Sequence, residues 1–97
     1  MLHHAILYRL KPGVTLDRVR AAREALAALA ELLPGVVHFA VTDNLATENG
    51  GFTLALFAAF ETREAFEIYG RHPEVHPVMA KLLDPIVEKR IVALGES

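Results

Sequence analysis

The stretch FTLALFAAF, residues Phe52–Phe60, is the most hydrophobic part of the chain and decides its fold. A continuous apolar run of this length is typical of a strand that is buried on both faces. Such strands lie in the middle of a sheet. We therefore predict that Phe52–Phe60 is a central strand.

Residues 2–11 are predicted to form the strand beside it. Alternation divides this segment into two faces, with His4, Ile6, Tyr8 and Leu10 on one and His3, Ala5, Leu7 and Arg9 on the other. Both faces carry apolar side chains, as in a strand that is covered on both sides. Lys11-Pro12-Gly13 then ends the strand.

Two helical regions and two further strands are predicted around this pair. Thr15 and Thr62 are placed to cap the helices that follow them, and Pro73 suits the first turn of another helix. In that last helix, Val75, Val78, Met79 and Leu82 are expected to face inward. In chain order, the predicted elements are strand 2–11, helix 16–33, strand Val36–Asp43, strand Phe52–Phe60, helices 63–69 and 73–83, and strand 86–94.

This order predicts one α+β domain over residues 1–97, with the ferredoxin-like βαββαβ arrangement. Right-handed crossovers favour a four-stranded antiparallel sheet in the order 4-1-3-2, with the helices on one face. The other face has no helix, although Leu7 and Phe57 make it hydrophobic. A second copy of the chain is its natural cover, so we predict a homodimer that pairs sheet to sheet into an α/β barrel.

Composition limits the classes of partner. The mean hydropathy is +0.29 and the formal charge is −2, with scattered basic residues and no cysteine. Without a basic face, nucleic acid is not an expected partner. The N-terminus lacks the features of a signal peptide, and no apolar run approaches the roughly 20 residues of a membrane helix, so a cytoplasmic protein without membrane contact is predicted.

Four segments resemble the stress-responsive dimeric α/β-barrel domain family. They are His4-Ala-Ile-Leu-Tyr-Arg-Leu-Lys11, Leu33-Pro-Gly-Val36, the strand Phe52–Phe60 and Tyr69-Gly-Arg-His72-Pro73. The resemblance implies the dimeric barrel fold derived above. Members of that family range from plant stress proteins to a plant polyketide cyclase and bacterial proteins without assigned activity, so it does not imply one reaction.

The resemblance also implies candidate catalytic residues. In cyclase-like members, acid/base chemistry is carried by a histidine on the first strand, a tyrosine on the second helix and a histidine after a His-Pro pair. His4 and Tyr69 match the first two by position. The spacing His-Pro-x-His places the third at Val75, whereas here His76 follows one residue later. The implied roles are His76 as base, Tyr69 as donor to a developing enolate and His4 as a further hydrogen-bond partner.

Structural interpretations of the same residues stay open. His4 can be a strand residue bonded to backbone, Tyr69 can be part of the core, and His72 can cap the helix that follows it. If a cavity lies between sheet and helices, a small apolar or aromatic ligand is expected there. The candidate ligand-binding residues are Ile6, Tyr8, Phe66, His72 and Met79.

No metal site or cofactor is predicted. His72 and His76 stand four residues apart, but Pro73 takes the place of the glutamate in a His-Glu-x-x-His motif and leaves His72 outside the helix. No axial histidine for a haem is identifiable. Asn49-Gly50-Gly51 lacks the lysine of a phosphate-binding loop and predicts a tight hairpin instead.

Three functions follow from these observations. The first is a small dimeric protein that binds an apolar or aromatic molecule between sheet and helices. The second is an enzyme of the polyketide cyclase or cofactor-free oxygenase type that uses His4, Tyr69 and His76. The third is a purely structural, stress-related oligomer. An enclosed cavity favours the first, two titratable groups aimed at a substrate favour the second, and a filled core favours the third.

Overall fold

The computed structural model describes all 97 residues. Its strands are β1 (Leu2–Leu10), β2 (Val36–Asp43), β3 (Phe52–Phe60) and β4 (Val87–Glu96), and its helices are α1 (Leu16–Leu29), α2 (Arg63–Arg71) and α3 (Val75–Val78). Short helical turns follow α1 and α3, namely Ala30–Leu32, the π turn Met79–Leu83 and Asp84–Ile86. None of these helices is both long and apolar enough to cross a membrane.

The four strands form one antiparallel sheet in the order β2-β3-β1-β4. This is the predicted order 4-1-3-2, read from the opposite edge. The register sets Ala5 of β1 between Phe57 of β3 and Ala93 of β4. The predicted ferredoxin-like α+β fold, with Phe52–Phe60 as a central strand, is therefore confirmed.

The core lies between the helices and one face of the sheet. On β1 this face carries Leu2, His4, Ile6 and Tyr8, all buried. β3 adds an alternating set to the same face, because directly opposed residues of antiparallel strands point to the same side. That set consists of Leu54, Leu56, Ala58 and Phe60.

Both predicted threonine caps are present. The Thr15 hydroxyl accepts a hydrogen bond from the Arg18 amide at 3.3 Å, and the Thr62 hydroxyl accepts one from the Ala65 amide at 3.1 Å. Each cap satisfies one of the free amides of the first helical turn. α1 is shorter than predicted, because its last turn tightens into the 3₁₀ turn Ala30–Leu32 before Pro34.

The region after α2 differs from the predicted helix over residues 73–83. α2 continues to Arg71, α3 is a single turn, and a π turn follows. A π turn closes i to i+5 instead of i to i+4, which moves the inward positions along the chain. The predicted inward residue Leu82 is therefore 36% exposed, whereas Leu83 is completely buried.

The second face of the sheet carries apolar side chains with no helix over them. Phe57 on β3 is 43% exposed and Ile91 on β4 is 47% exposed. On β1 between them, Ala5 pairs with Phe57 and Leu7 pairs with Ile91. We call this surface the open face.

Candidate functional site

His4 is a buried polar side chain on the helix-facing side of β1. It is 7% exposed, and its Nδ1 has no hydrogen-bond partner. Burial lowers the pKa of His4 below its ordinary value, and a hydrogen bond between the imidazole and the backbone of Ala93 opposes this in part. His4 is therefore held neutral, with one nitrogen as donor and the other as acceptor.

Aromatic rings from α2 surround His4. Its ring centroid lies 5.1 Å from that of Phe66 and 6.0 Å from that of Tyr69, the latter edge to face. Phe66 and Tyr69 are three residues apart, so one face of α2 presents both to the sheet. Phe60 and Phe39 extend the cluster, at 5.4 Å and 6.0 Å from Tyr69. The structure thus brings His4 and Tyr69 together.

Tyr69 remains protonated at neutral pH. Burial raises the pKa of Tyr69 to about 12, because the phenolate would lose its hydration. At neutral pH, a neutral histidine can accept a proton and a protonated phenol beside it can donate one. The two rings meet edge to face, 6.0 Å apart between centroids, so either group would act on a bound molecule and not on the other.

Tyr8 is a second buried phenol on the same face of the sheet. Its side chain is completely buried, and its hydroxyl has no partner. Burial raises the pKa of Tyr8, with a smaller contribution from Tyr69 and an opposing one from Arg90. Ile6 is buried between His4 and Tyr8 on β1, and Met79 is half-buried against the same core.

The two histidines of the His-Pro segment lie elsewhere. His76 is exposed on α3 and makes no ring contact with His4 or Tyr69. His72 is half-buried at the end of α2, and its Nδ1 accepts a hydrogen bond from the Glu74 amide at 3.2 Å. The predicted partner His76 is thus apart from the other two. His72 accepts its bond within the turn before α3, and it does not cap that helix, whose N-cap Glu74 has no side-chain cap.

A cleft of about 310 Å³ opens beside the aromatic cluster. Its apolar wall consists of Leu2, Phe66 and Leu94, and its polar rim of Arg63, Glu67 and Glu96. Arg63 and Glu96 form an ion pair across it at 3.5 Å. Phe66 belongs both to this cleft and to the cluster around His4, so the two features are continuous.

The sequence interpretation missed the part of the cleft that β4 supplies. Leu94 faces the helices because it pairs with His4 across the β1–β4 ladder. The predicted sheet order already placed β4 beside β1. Only the register of that pairing was missing, and the register sets which side of β4 faces the helices.

A second concavity of about 380 Å³ lies on the open face, and its lining also includes His4 and Leu94, of which Leu94 lines the 310 Å³ cleft as well. Small residues such as Ala5, Ala59 and Gly95 form its floor, with His3 and His38 at its sides. His3 Nε2 is 2.8 Å from the hydroxyl of Ser97. No three histidine, aspartate or glutamate side chains anywhere in the chain are grouped to hold a metal ion.

Known structures share this fold over nearly the whole chain. A dimeric ferredoxin-like protein of unknown function from Thermobifida fusca is 24% identical, with a TM-score of 0.86 over 99% of this chain and 90% of that one. A protein from Arabidopsis thaliana is 23% identical, with a TM-score of 0.87 over 100% and 95%. A hydroxynitrile lyase from Passiflora edulis is 19% identical, with a TM-score of 0.84 over 97% and 90%.

At these identities the structures show a common fold and not a common activity. No curated protein sequence matches the chain significantly. The family profile of the stress responsive A/B barrel domain matches residues 2–93, which contain β1, β2, β3, all three helices and the first seven residues of β4. This chain therefore belongs to the stress responsive A/B barrel domain family.

Proposed function

We propose that this protein is a homodimer that binds a small apolar or aromatic molecule on the helix-facing side of its sheet, next to His4 and Tyr69. One observation carries the proposal. His4 Nδ1 is buried without a hydrogen-bond partner, and the rings around it continue into the apolar wall of the 310 Å³ cleft.

The energetics favour a ligand with a single polar atom. A buried polar group without a partner costs about 1–3 kcal/mol, which a ligand oxygen or nitrogen beside His4 would offset. Phe66, Leu2 and Leu94 would contact its apolar body. Concave, mostly apolar sites with few polar groups are the usual form of small-molecule sites.

The homodimer rests on the open face. Phe57 and Ile91 expose apolar surface there, and no segment of the chain covers it. Two related structures are described as dimeric ferredoxin-like proteins, from Thermobifida fusca and from Jannaschia. A second copy that covers this face would leave the helix-facing site accessible, because the two lie on opposite sides of the sheet.

Acetophenone, a neutral aromatic ketone, tests the binding site by calorimetric titration. We expect saturable binding that is lost in His4→Leu and weakened in Tyr69→Phe. The matched control is His38→Leu, the same change on the other face of the sheet, which should keep the affinity of the unmodified protein. Equal affinity in all three variants would refute the site, and no saturable binding at all would favour a purely structural dimer.

A second candidate function is catalysis by His4 and Tyr69. The observation that favours it is their pairing at 6.0 Å between ring centroids, with the pKa of His4 lowered and that of Tyr69 raised. The hydroxynitrile lyase from Passiflora edulis has this fold. In such a cleavage, a base removes the hydroxyl proton of a cyanohydrin, the carbon–cyanide bond breaks, and cyanide leaves as a carbonyl forms.

Release of cyanide from mandelonitrile measures this activity. Catalysis would be supported if the protein releases cyanide faster than buffer alone, and if this rate falls in Tyr69→Phe and in His4→Leu. Because His76 lies apart from both, the same assay on His76→Ala separates its role from theirs. Turnover unchanged in all three variants would contradict acid/base roles for these residues.

A further inference from the structure

Two histidines stand in one row of the sheet on the open face, with a single alanine between them. His3 of β1 and His38 of β2 are both opposed to Ala59 of β3, so all three side chains point to the same side. Neighbouring strands are about 4.8 Å apart, which puts the two histidine backbones roughly 10 Å from each other. Both histidines are exposed, and both line the 380 Å³ concavity.

The strands of the open face offer these histidines no acidic partner. The other ionisable side chains on this face are Arg9 of β1 and Lys89 of β4, which are opposed to each other. Arg9 is six residues from His3, about 20 Å along the strand, and it pairs there with Glu88 at 3.5 Å. Asp43 of β2 faces the helices, where it forms an ion pair with α1. The histidine end of the face therefore carries basic groups only.

The carboxylates just beyond the strand ends are also turned away from the histidines. Glu96 forms its ion pair with Arg63 of α2, at the helix-facing cleft. Glu61, the residue after β3, is turned toward Gly35, where an added Cβ would lie 4.0 Å from its Oε2 and would also meet Ala65 of α2. Both carboxylates thus belong to the helix-facing side.

The polar contacts of His3 are with uncharged groups. Its Nε2 lies 2.8 Å from the hydroxyl of Ser97. The backbone oxygen of Ser97 already accepts a hydrogen bond of 2.8 Å from the amino group of Met1. A proton on His3 would therefore find a hydroxyl group beside it, but no negative charge to offset it.

A second copy that covers the open face would take water away from these imidazoles. Burial of a neutral polar ring costs little when it keeps a hydrogen bond, whereas burial of a cation without an acidic partner is expensive. Of the side chains on this face, histidine is the one that changes its charge between pH 8 and pH 5. Protonation of clustered histidines is a recognised way for an interface to respond to acid.

We propose that His3 and His38 make the homodimer sensitive to pH. The two open faces pair while these imidazoles are neutral, and mild acid separates the copies without unfolding them. This inference rests on the proposed homodimer, in which the pairing buries four such imidazoles. Each imidazole that binds its proton only in the separate chains weakens the dimer by up to about tenfold per unit of pH.

Sedimentation velocity at pH 7.5 and pH 5.5 tests the inference, with far-ultraviolet circular dichroism in the same buffers. The Kd of the dimer should rise by about 100-fold or more at pH 5.5, with an unchanged dichroism spectrum. In the double variant His3→Gln/His38→Gln, it should rise by less than about tenfold, and each single substitution should remove part of the effect. The control is His76→Gln, which removes an exposed histidine of α3 and should keep the full pH dependence.

The possible results separate this inference from the homodimer on which it rests. A dimer of equal strength at both pH values would overturn the inference and leave the homodimer standing. A monomer at pH 7.5 would refute the homodimer and the inference together. Dissociation that persists in the double variant, or that comes with a loss of dichroism, would assign the acid sensitivity to unfolding promoted by protonation of the buried His4, and would also overturn the inference.

Discussion

The unpartnered hydroxyl of Tyr8 makes a prediction about stability that runs against the usual effect of a core substitution. In the ligand-free protein, Tyr8→Phe should increase the free energy of unfolding. The substitution removes only the hydroxyl and keeps the ring that packs in the core and under Arg90. Most core substitutions instead destabilise, because they leave a cavity or add volume.

The magnitude follows from the burial of that hydroxyl. It loses its water on folding and gains no hydrogen bond, at a cost of about 1–3 kcal/mol. The loss of a few van der Waals contacts offsets part of this cost. We therefore expect a gain of about 1 kcal/mol, equivalent to a rise in Tm of roughly 4–8 °C for a domain of this size.

Urea denaturation followed by far-ultraviolet circular dichroism measures the change, at one protein concentration because unfolding of the proposed dimer would depend on it. Tyr69→Phe is the comparison, since the hydroxyl of Tyr69 is not among the buried groups without a partner. A loss of about 1 kcal/mol in Tyr8→Phe would mean that the hydroxyl is hydrogen-bonded in the free protein.

Three further predictions concern other parts of the molecule. The pKa of His4 is lowered in the folded state, so the unfolded chain binds the proton more readily. The free energy of unfolding should therefore fall as the pH drops below about 6.5. In His4→Leu it should depend less on pH, and an identical pH dependence would contradict this origin. Phe57→Glu places a charge on the open face, so light scattering should detect a monomer with unchanged circular dichroism; a dimer that persists would show that this face is not the interface. Gly35→Ala should lose about 2 kcal/mol or more in urea denaturation, because Gly35 has a φ of 73° and an added Cβ would lie 2.7 Å from the Cβ of Ala65; unchanged stability would mean that α2 can shift to accept a methyl group.

The fold was predictable because its strongest signals are local. The continuous apolar run Phe52–Phe60 predicted a central strand, and the threonines before two helices predicted caps that the structure contains. The segment after α2 was less predictable, since no residue type marks a π turn. Because of the π turn, Leu83 is buried in the core, where the sequence predicted Leu82.

The site was predictable only in part. The resemblance to the family indicated His4 and Tyr69, and their rings lie together. It also indicated His76, which the structure leaves exposed. Leu94 and Arg90 could not be identified beforehand, because their places beside His4 and Tyr8 depend on the register of β4 against β1. The hydrophobic pattern specifies the register of β4 only weakly, because every residue of this strand after Val87 is exposed.

The central claim is that a small molecule binds on the helix-facing side of the sheet beside His4. Nuclear magnetic resonance tests it most directly, by mapping the chemical-shift changes that acetophenone causes in the labelled protein. We predict saturable changes concentrated at His4, Phe66, Tyr69 and Leu94. Changes confined to the open face, around His38 and Ala59, or no saturable change at any residue, would contradict the claim.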